Sequence, residues 1–219
     1  MDDQAPILDH VLAHDLLGWS FAFILILCRC GAAIMLLPGI AEDGSIAMLR
    51  MGITLGMTVL LLPSIAPSLP PAPDSVPHLA GLIANELFAG GFLGWMARLV
   101  ALSLPAAGQI ISLSTGMSSV LQPDANFGAQ TAGIGRLFGV MAPALLLATG
   151  AYRLPLSALA GSYAAWPAGG LPPTDDVLTM VVQAVGAHFA LALRLASPFM
   201  LIGLIWQAGL GLMSRLVPQ

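Results

Sequence analysis

His10 and His14 lie four residues apart beside Asp9 and Asp15, and on a helix that spacing can present two imidazoles to one metal ion. No further ligand accompanies them, and the solvated face of an amphipathic helix accounts for the same residues. Cys28 and Cys30 are two apart, which on a helix points their side chains to different faces, so neither a disulfide nor a metal clip is expected. No G-x-S-x-G, H-E-x-x-H, P-loop or close carboxylate pair stands in a setting for hydrolysis or phosphoryl transfer. No catalytic, cofactor-binding or metal residue is assigned, and the chain is read as not an enzyme.

What stands out instead are charges inside apolar runs: Arg29, Glu86, Arg98, Arg136 and Arg194. A charge at mid-bilayer depth costs roughly 2.5 kcal/mol or more, so each is expected to face protein or water, as a buried charge or an assembly contact. Arg50, Arg136 and Arg215 sit near span ends, where snorkelling also serves. Arg29 and Arg98 lie deeper and are expected to be buried. Glu86 and Arg98 are separated by about 18 Å of helical rise and cannot pair within one helix, so each needs a partner elsewhere. His188, alone on an apolar stretch, reads as a hydrogen-bonded core residue in preference to a proton carrier.

The elements that carry these groups are apolar. Of 219 residues 58% are hydrophobic and 8% charged, and the mean hydropathy is +0.90, which places the chain among membrane proteins. The net charge of −4 excludes a basic nucleic-acid surface. All basic residues are Arg, so the charge asymmetry that orients spans is weak. The start MDDQAP lacks a basic n-region, and the N-terminus is expected to remain on the mature protein. Residues 6–17 alternate Leu8, Val11, Leu12 and Leu16 with charged positions, an amphipathic entry helix. Residues 16–37 and 46–66 are two spans of a helical hairpin, with Ser45 as N-cap of the second and Arg50 reaching back to Glu42 or Asp43. Prolines recur through 67–77, an extended connection. A third span, 79–104, carries Gly90 and Gly94 at small-xxx-small spacing; 134–151 is a fourth. Residues 154–176 read as a mixed loop with Tyr163 and Trp166 at an interface. Residues 177–217 are too long for one crossing, and Ser197-Pro198 is expected to break them into two helices of about twenty residues.

Residues 105–135 are different in kind. They hold one charge, Asp124, and eleven Gly, Ser or Thr. Irregular backbone at membrane depth must be buried in protein or line a water-filled cavity, and small side chains permit the close contacts this needs. Gly108, Gly116, Met117 and Asp124 are therefore the candidate pore or plug residues, the flexible Met117 thioether suiting a seal that must yield. The fold class is all-α: a polytopic-looking membrane protein of helical hairpins with a Gly/Ser/Thr-rich, plug-like central segment.

Over nearly its whole length the chain resembles the FliR family, flagellar type III export-gate proteins whose injectisome counterpart is SctT. The likeness rests on Arg29, Pro38 and Arg50 in the first hairpin, Glu86, Gly90 and Gly94 in NELFAGGFLGW, and Gly108, Gly116, Asp124 and Arg136 farther on. It is most specific in LASPFMLIGLIWQAGLGLMSRLVPQ, through Pro198, Leu210, Gly211, Leu212, Arg215, Pro218 and Gln219. The family usually has Asp-Pro where this chain has Asp124-Ala125, Gln for Ser114 and Asn for Gln207. Members continue past the Pro-Gln with further hydrophobic helix, so residues 1–219 are expected to be a single FliR-like domain without that extension. The resemblance implies a structural, pore-forming subunit of a bacterial inner-membrane export gate in the flagellar basal body. It further implies assembly with FliP-like and FliQ-like subunits and other export-apparatus proteins, passage of exported protein substrates, and no cofactor. The alternative is the injectisome version. A small-solute secondary transporter should show internal repeats with matched broken helices, and no convincing repeat is present.

Overall fold

The computed structural model describes residues 5–42, 47–73, 75–115, 122–123, 130–131, 133–170 and 174–216. They form α1 (Ala5–Ile34), α2 (Ala47–Ile65) with a 3₁₀ turn at Ala66–Ser68, α3 (Val76–Ser114), α4 (Gly133–Ala148), α5 (Arg153–Ala165) and α6 (Thr174–Leu216). One two-residue antiparallel pair, β1 (Gln122–Pro123) with β2 (Gln130–Thr131), sits between α3 and α4 in the chain. The fold class is all-α as expected. Among the described residues three helical stretches are long and apolar enough to cross a membrane, Ala47–Ser68, Val76–Ser114 and Asp176–Met213, or four if α4 and α5 count as one broken span.

Several boundaries differ from the sequence expectation, each for a local reason. The entry helix and first span are one helix, α1, whose apolar part Gly18–Ile34 is shorter than a crossing. It stops at Ile34 because the chain turns there: Ala41 N–H donates to the Leu37 carbonyl, and Gly39 takes φ 85°, which a side chain would oppose. Residues 153–165, expected in a loop, are helix α5. Most tellingly, α3 passes through Pro105 and α6 through Pro198 without ending. A helical proline frees the carbonyl four residues earlier. At Pro198 that carbonyl belongs to Arg194, and the Ser197 hydroxyl donates to it at 2.9 Å, the substitution that makes proline tolerable in apolar helices. The end of α3 is closed the same way, Ser114 and Thr115 hydroxyls donating to the Ile110 and Ile111 carbonyls. Ser45 and Asp43 lie outside the described residues.

The chain divides into two compact units, Met1–Ala97 with Tyr152–Val177, and Arg98–Ala151 with Leu178–Gln219. In the first, Ile26, Cys30, Ala33, Ile34, Leu37 and Ile40 pack with Leu61 and Ile65 of α2 and Leu159 of α5. Helix α2 buries one stripe, Thr54, Thr58, Leu61 and Ile65, at helical spacing. Thr54 and Thr58 close their hydroxyls on the carbonyls one turn back at 2.8 Å, while Met48 and Leu60 are 79% and 70% exposed. Small polar groups inward and large apolar groups outward is the pattern of a helix whose outer face meets lipid or protein. The second unit is centred on Ala107 and Ile111 of α3 and Ala192 and Ala196 of α6, with Ile134 and Phe138 of α4 against them.

Candidate functional site

In the first unit two buried charges of opposite sign meet. α1 carries Arg29 and α3 carries Glu86, both fully buried, and they bind in a fork: Nε to Oε2 at 2.7 Å and Nη2 to Oε1 at 3.0 Å. Bidentate geometry is what the planar guanidinium supplies and an ammonium cannot. The remaining valences are filled from α5 and the turn behind it. Nη1 donates to the Trp166 carbonyl at 3.0 Å and the Ser162 hydroxyl at 3.2 Å, the Tyr163 ring lies 4.0 Å from the guanidinium carbon, and Gly169 N–H donates to Glu86 Oε1 at 2.8 Å. Trp166 is held in turn by its indole N–H on the Gly170 carbonyl at 3.1 Å. Gly169 can present its N–H because its φ is 74°. Three helices and a turn are thus tied to one ion pair.

Glycine lets the helices come close enough for this. Glu86, Gly90 and Gly94 repeat every four residues on α3, and a Cβ at Gly90 would strike the Arg29 carbonyl while one at Gly94 would stand 2.5 Å from the Ala33 carbonyl. The backbones of α1 and α3 are in contact where Arg29 turns inward, as small-xxx-small packing requires. The sequence signalled Arg29, Glu86 and the glycines separately; it did not pair them, and it missed Ser162, Tyr163, Trp166 and Gly169. Tyr163 and Trp166, expected at an interface, face the cluster, Trp166 being buried and also 5.9 Å, ring to ring, from Phe88.

In the second unit Gly108, expected in an irregular plug, lies inside α3 against α4: its Cβ would meet Gly135 Cα at 2.8 Å and the Ile134 carbonyl at 3.0 Å. Gly116, Met117 and Asp124 lie outside the described residues. Arg98 is half-buried, and Arg136 and Arg194 are exposed on the chain. His188 Nδ1 is 2.9 Å from the Leu99 carbonyl and 3.1 Å from the Ser103 hydroxyl. A carbonyl only accepts, so Nδ1 carries the proton. The imidazole is hydrogen-bonded as expected, though half-exposed. Among the described residues no group of three or more His, Cys, Asp or Glu could hold a metal; the side chains of Asp9, His10, His14 and Asp15 are outside that description.

At the first hairpin Arg50 Nη2 donates to the Glu42 main-chain oxygen at 3.1 Å. That contact is partly exposed, and such surface interactions contribute about 0–1 kcal/mol. Arg50→Gln is therefore expected to leave the yield of detergent-stable complex nearly unchanged, whereas replacing Arg29 removes most of it. Equal losses from the two variants would erase the distinction between them.

Residues 20–219 match the family described as bacterial export proteins, family 1. The chain is 28% identical to the flagellar biosynthetic protein FliR of Caulobacter vibrioides, over 89% of this chain and 77% of that one. It is 25% identical to FliR of Escherichia coli, over 95% and 79%, and 27% identical to the Yop proteins translocation protein T of Yersinia pestis, over 90% and 76%. With a match across its helices from Ser20 onward and relatives of both kinds, the chain belongs to bacterial export protein family 1, the structural export-apparatus components FliR and SctT.

Proposed function

We propose that residues 1–219 act as one gate domain: the FliR-like, pore-forming subunit of a flagellar type III export gate in the bacterial inner membrane. It assembles with FliP-like and FliQ-like subunits at the basal body and passes exported protein substrates. The observation that carries this beyond family membership is the outward face of the helices. Leu201 and Ile205 are 63% and 72% exposed on α6, where Arg194 is exposed as well. A bilayer accepts the apolar side chains and rejects the arginine; other subunits of an assembly accept both. Arg29 and Glu86 hold the first unit's helices in register, Arg98, Arg136 and Arg194 serve contacts with neighbours, and the stretch around Gly116, Met117 and Asp124 closes the path, with Gly108 fixing its helical root.

The match to a Yop translocation protein favours a second reading, the same subunit in an injectisome. Deleting the chromosomal gene separates them through the process lost, motility or effector secretion.

The pore assignment predicts that Gly116→Leu, or deletion of two residues after Met117, raises ion leakage across the inner membrane and lowers secretion of export substrates while partner subunits still co-purify. A constriction depends on close backbone approach, which a bulky side chain prevents. Unchanged leakage and secretion in assembled variants would return the segment to an ordinary packed connection.

A further inference from the structure

Charge is distributed very unevenly along this chain. Ten of its eleven acidic residues fall in Met1–Ala97 and Tyr152–Val177, whereas Arg98–Ala151 with Leu178–Gln219 hold four of the seven arginines and a single acid, Asp124. Arginines in the second unit thus have almost no carboxylate of their own to meet. Arg194 is the extreme case. It is exposed, and its guanidinium has no hydrogen-bond or ion-pair partner among the described residues.

Its direction follows from its neighbours. Ala192 and Ala196 are fully buried against α3, and at 100° per residue Arg194 stands about 200° from each, on the opposite side of α6. Leu201, Ile205 and Leu212 follow at intervals of seven, four and seven, so they share the arginine's face. They are 63%, 72% and 65% exposed. A seven-and-four repeat of large apolar residues is the seam that receives another helix.

Lipid does not suit this seam. Arg194 lies midway along α6 between apolar stretches, and lipid chains offer its guanidinium neither counter-charge nor hydrogen-bond acceptor. A second copy packed α6 on α6 does not suit it either, because it would oppose arginine to arginine with no acid in that helix beyond its first turn. We propose that the Arg194 seam of α6 is the docking surface for an apolar helix of another subunit, one that sets a single Asp or Glu carboxylate opposite Arg194 among otherwise apolar contacts. The inference rests on the gate reading for its partner being a subunit of the export apparatus. The carboxylate supplies the counter-charge this unit lacks, and a charge pair excluded from water fixes the register of two helices that apolar contacts alone would let slide.

The test uses the full chain expressed from its own locus, with the photo-cross-linking residue p-benzoylphenylalanine at 201 or 205, and at 199, off the seam, as control. Irradiation of native membranes should give, from 201 and 205, one adduct to a segment of another subunit with an Asp or Glu about two to three helical turns from the cross-linked position. Arg194→Glu should lower that adduct at least about tenfold, Arg194→Lys should largely keep it, and exchanging the partner's carboxylate for arginine should restore it in the Arg194→Glu background. Adducts only to lipid or to a second copy, or a yield indifferent to Arg194→Glu, would overturn the proposal. If the adduct shows this charge dependence but its partner belongs to no export apparatus, the gate reading fails and the seam stands. If export subunits co-purify as usual while the charge exchange has no effect, the seam fails and the gate reading stands.

Discussion

Glu86→Ala is expected to remove most of the folded protein, a destabilisation of about 3–5 kcal/mol, because it strands the fully buried guanidinium of Arg29 without a counter-charge. Both side chains are fully buried, and the carboxylate takes two of the guanidinium's hydrogen bonds as well as the Gly169 N–H. Ser162, the Trp166 carbonyl and the Tyr163 ring remain, but these are dipoles and a quadrupole, and they do not neutralise a charge. Glu86→Gln keeps a hydrogen-bonding amide and should lose less. The informative variant is the double replacement Arg29→Met with Glu86→Leu. Removing both charges lifts the desolvation penalty along with the attraction, so the pair can recover much of what either single change loses. Thermal stability of the detergent-solubilised complex and protease resistance in membranes measure all three against the wild type. A double variant as poor as Glu86→Ala would mean that the hydrogen-bond geometry itself, and not charge compensation, holds the three helices; a single variant indistinguishable from the wild type would mean that the cluster is dispensable.

That ion pair also marks how far the sequence could be read. Apolar runs of crossing length declare α2, α3 and α6, because a helix that satisfies its own backbone is almost the only choice in an apolar setting. The depth of Arg29 and Glu86 within those runs declares that each must find a partner. Which partner is a fact of tertiary packing fifty-seven positions apart, and no periodicity encodes it. Helix α5 was hidden for another reason: LPLSALAGSYAA is short, moderately polar and flanked by Gly and Pro, and its helicity comes from packing Leu159 and Tyr163 onto the first unit's core. Proline misled most. Pro105 and Pro198 carry the ordinary signal for a helix end, and the decisive compensation at Pro198 is one hydroxyl, on Ser197, returned to the carbonyl that the ring leaves free. The same serine read from sequence alone looks like part of the break. Gly108 shows the converse: its type was right for a tight contact, but the contact is helix against helix instead of an irregular turn.

Two adjacent glycines should respond to the same substitution with opposite signs. Gly90→Ala is expected to destabilise by about 1–3 kcal/mol or more, since an added methyl meets main chain, the Arg29 carbonyl and its carbon at 2.8 Å, and main chain cannot rotate away as a side chain can. Relief requires α1 and α3 to separate, which lengthens the Arg29 and Glu86 contacts made from those same two helices, so the loss should exceed that of a methyl added elsewhere in the core. Gly91→Ala puts its methyl 4.0 Å from Leu36 Cδ1, an ordinary contact. There the substitution removes glycine from a helix interior, worth up to about 1 kcal/mol in its favour. The pair shares composition, neighbourhood and helix; only the facing surface differs. Melting temperatures of the purified complexes should therefore fall for Gly90→Ala and hold or rise for Gly91→Ala, and a third variant, Gly90→Ala with Arg29→Met and Glu86→Leu, should lose less on gaining the methyl than the wild type does, because no ion pair remains to be pulled apart. A fall of equal size for both glycines would place the constraint in the flexibility of α3 and not in its contact with α1, and a methyl at 90 costing the same with and without the ion pair would uncouple the glycine face from the charge it brings into reach.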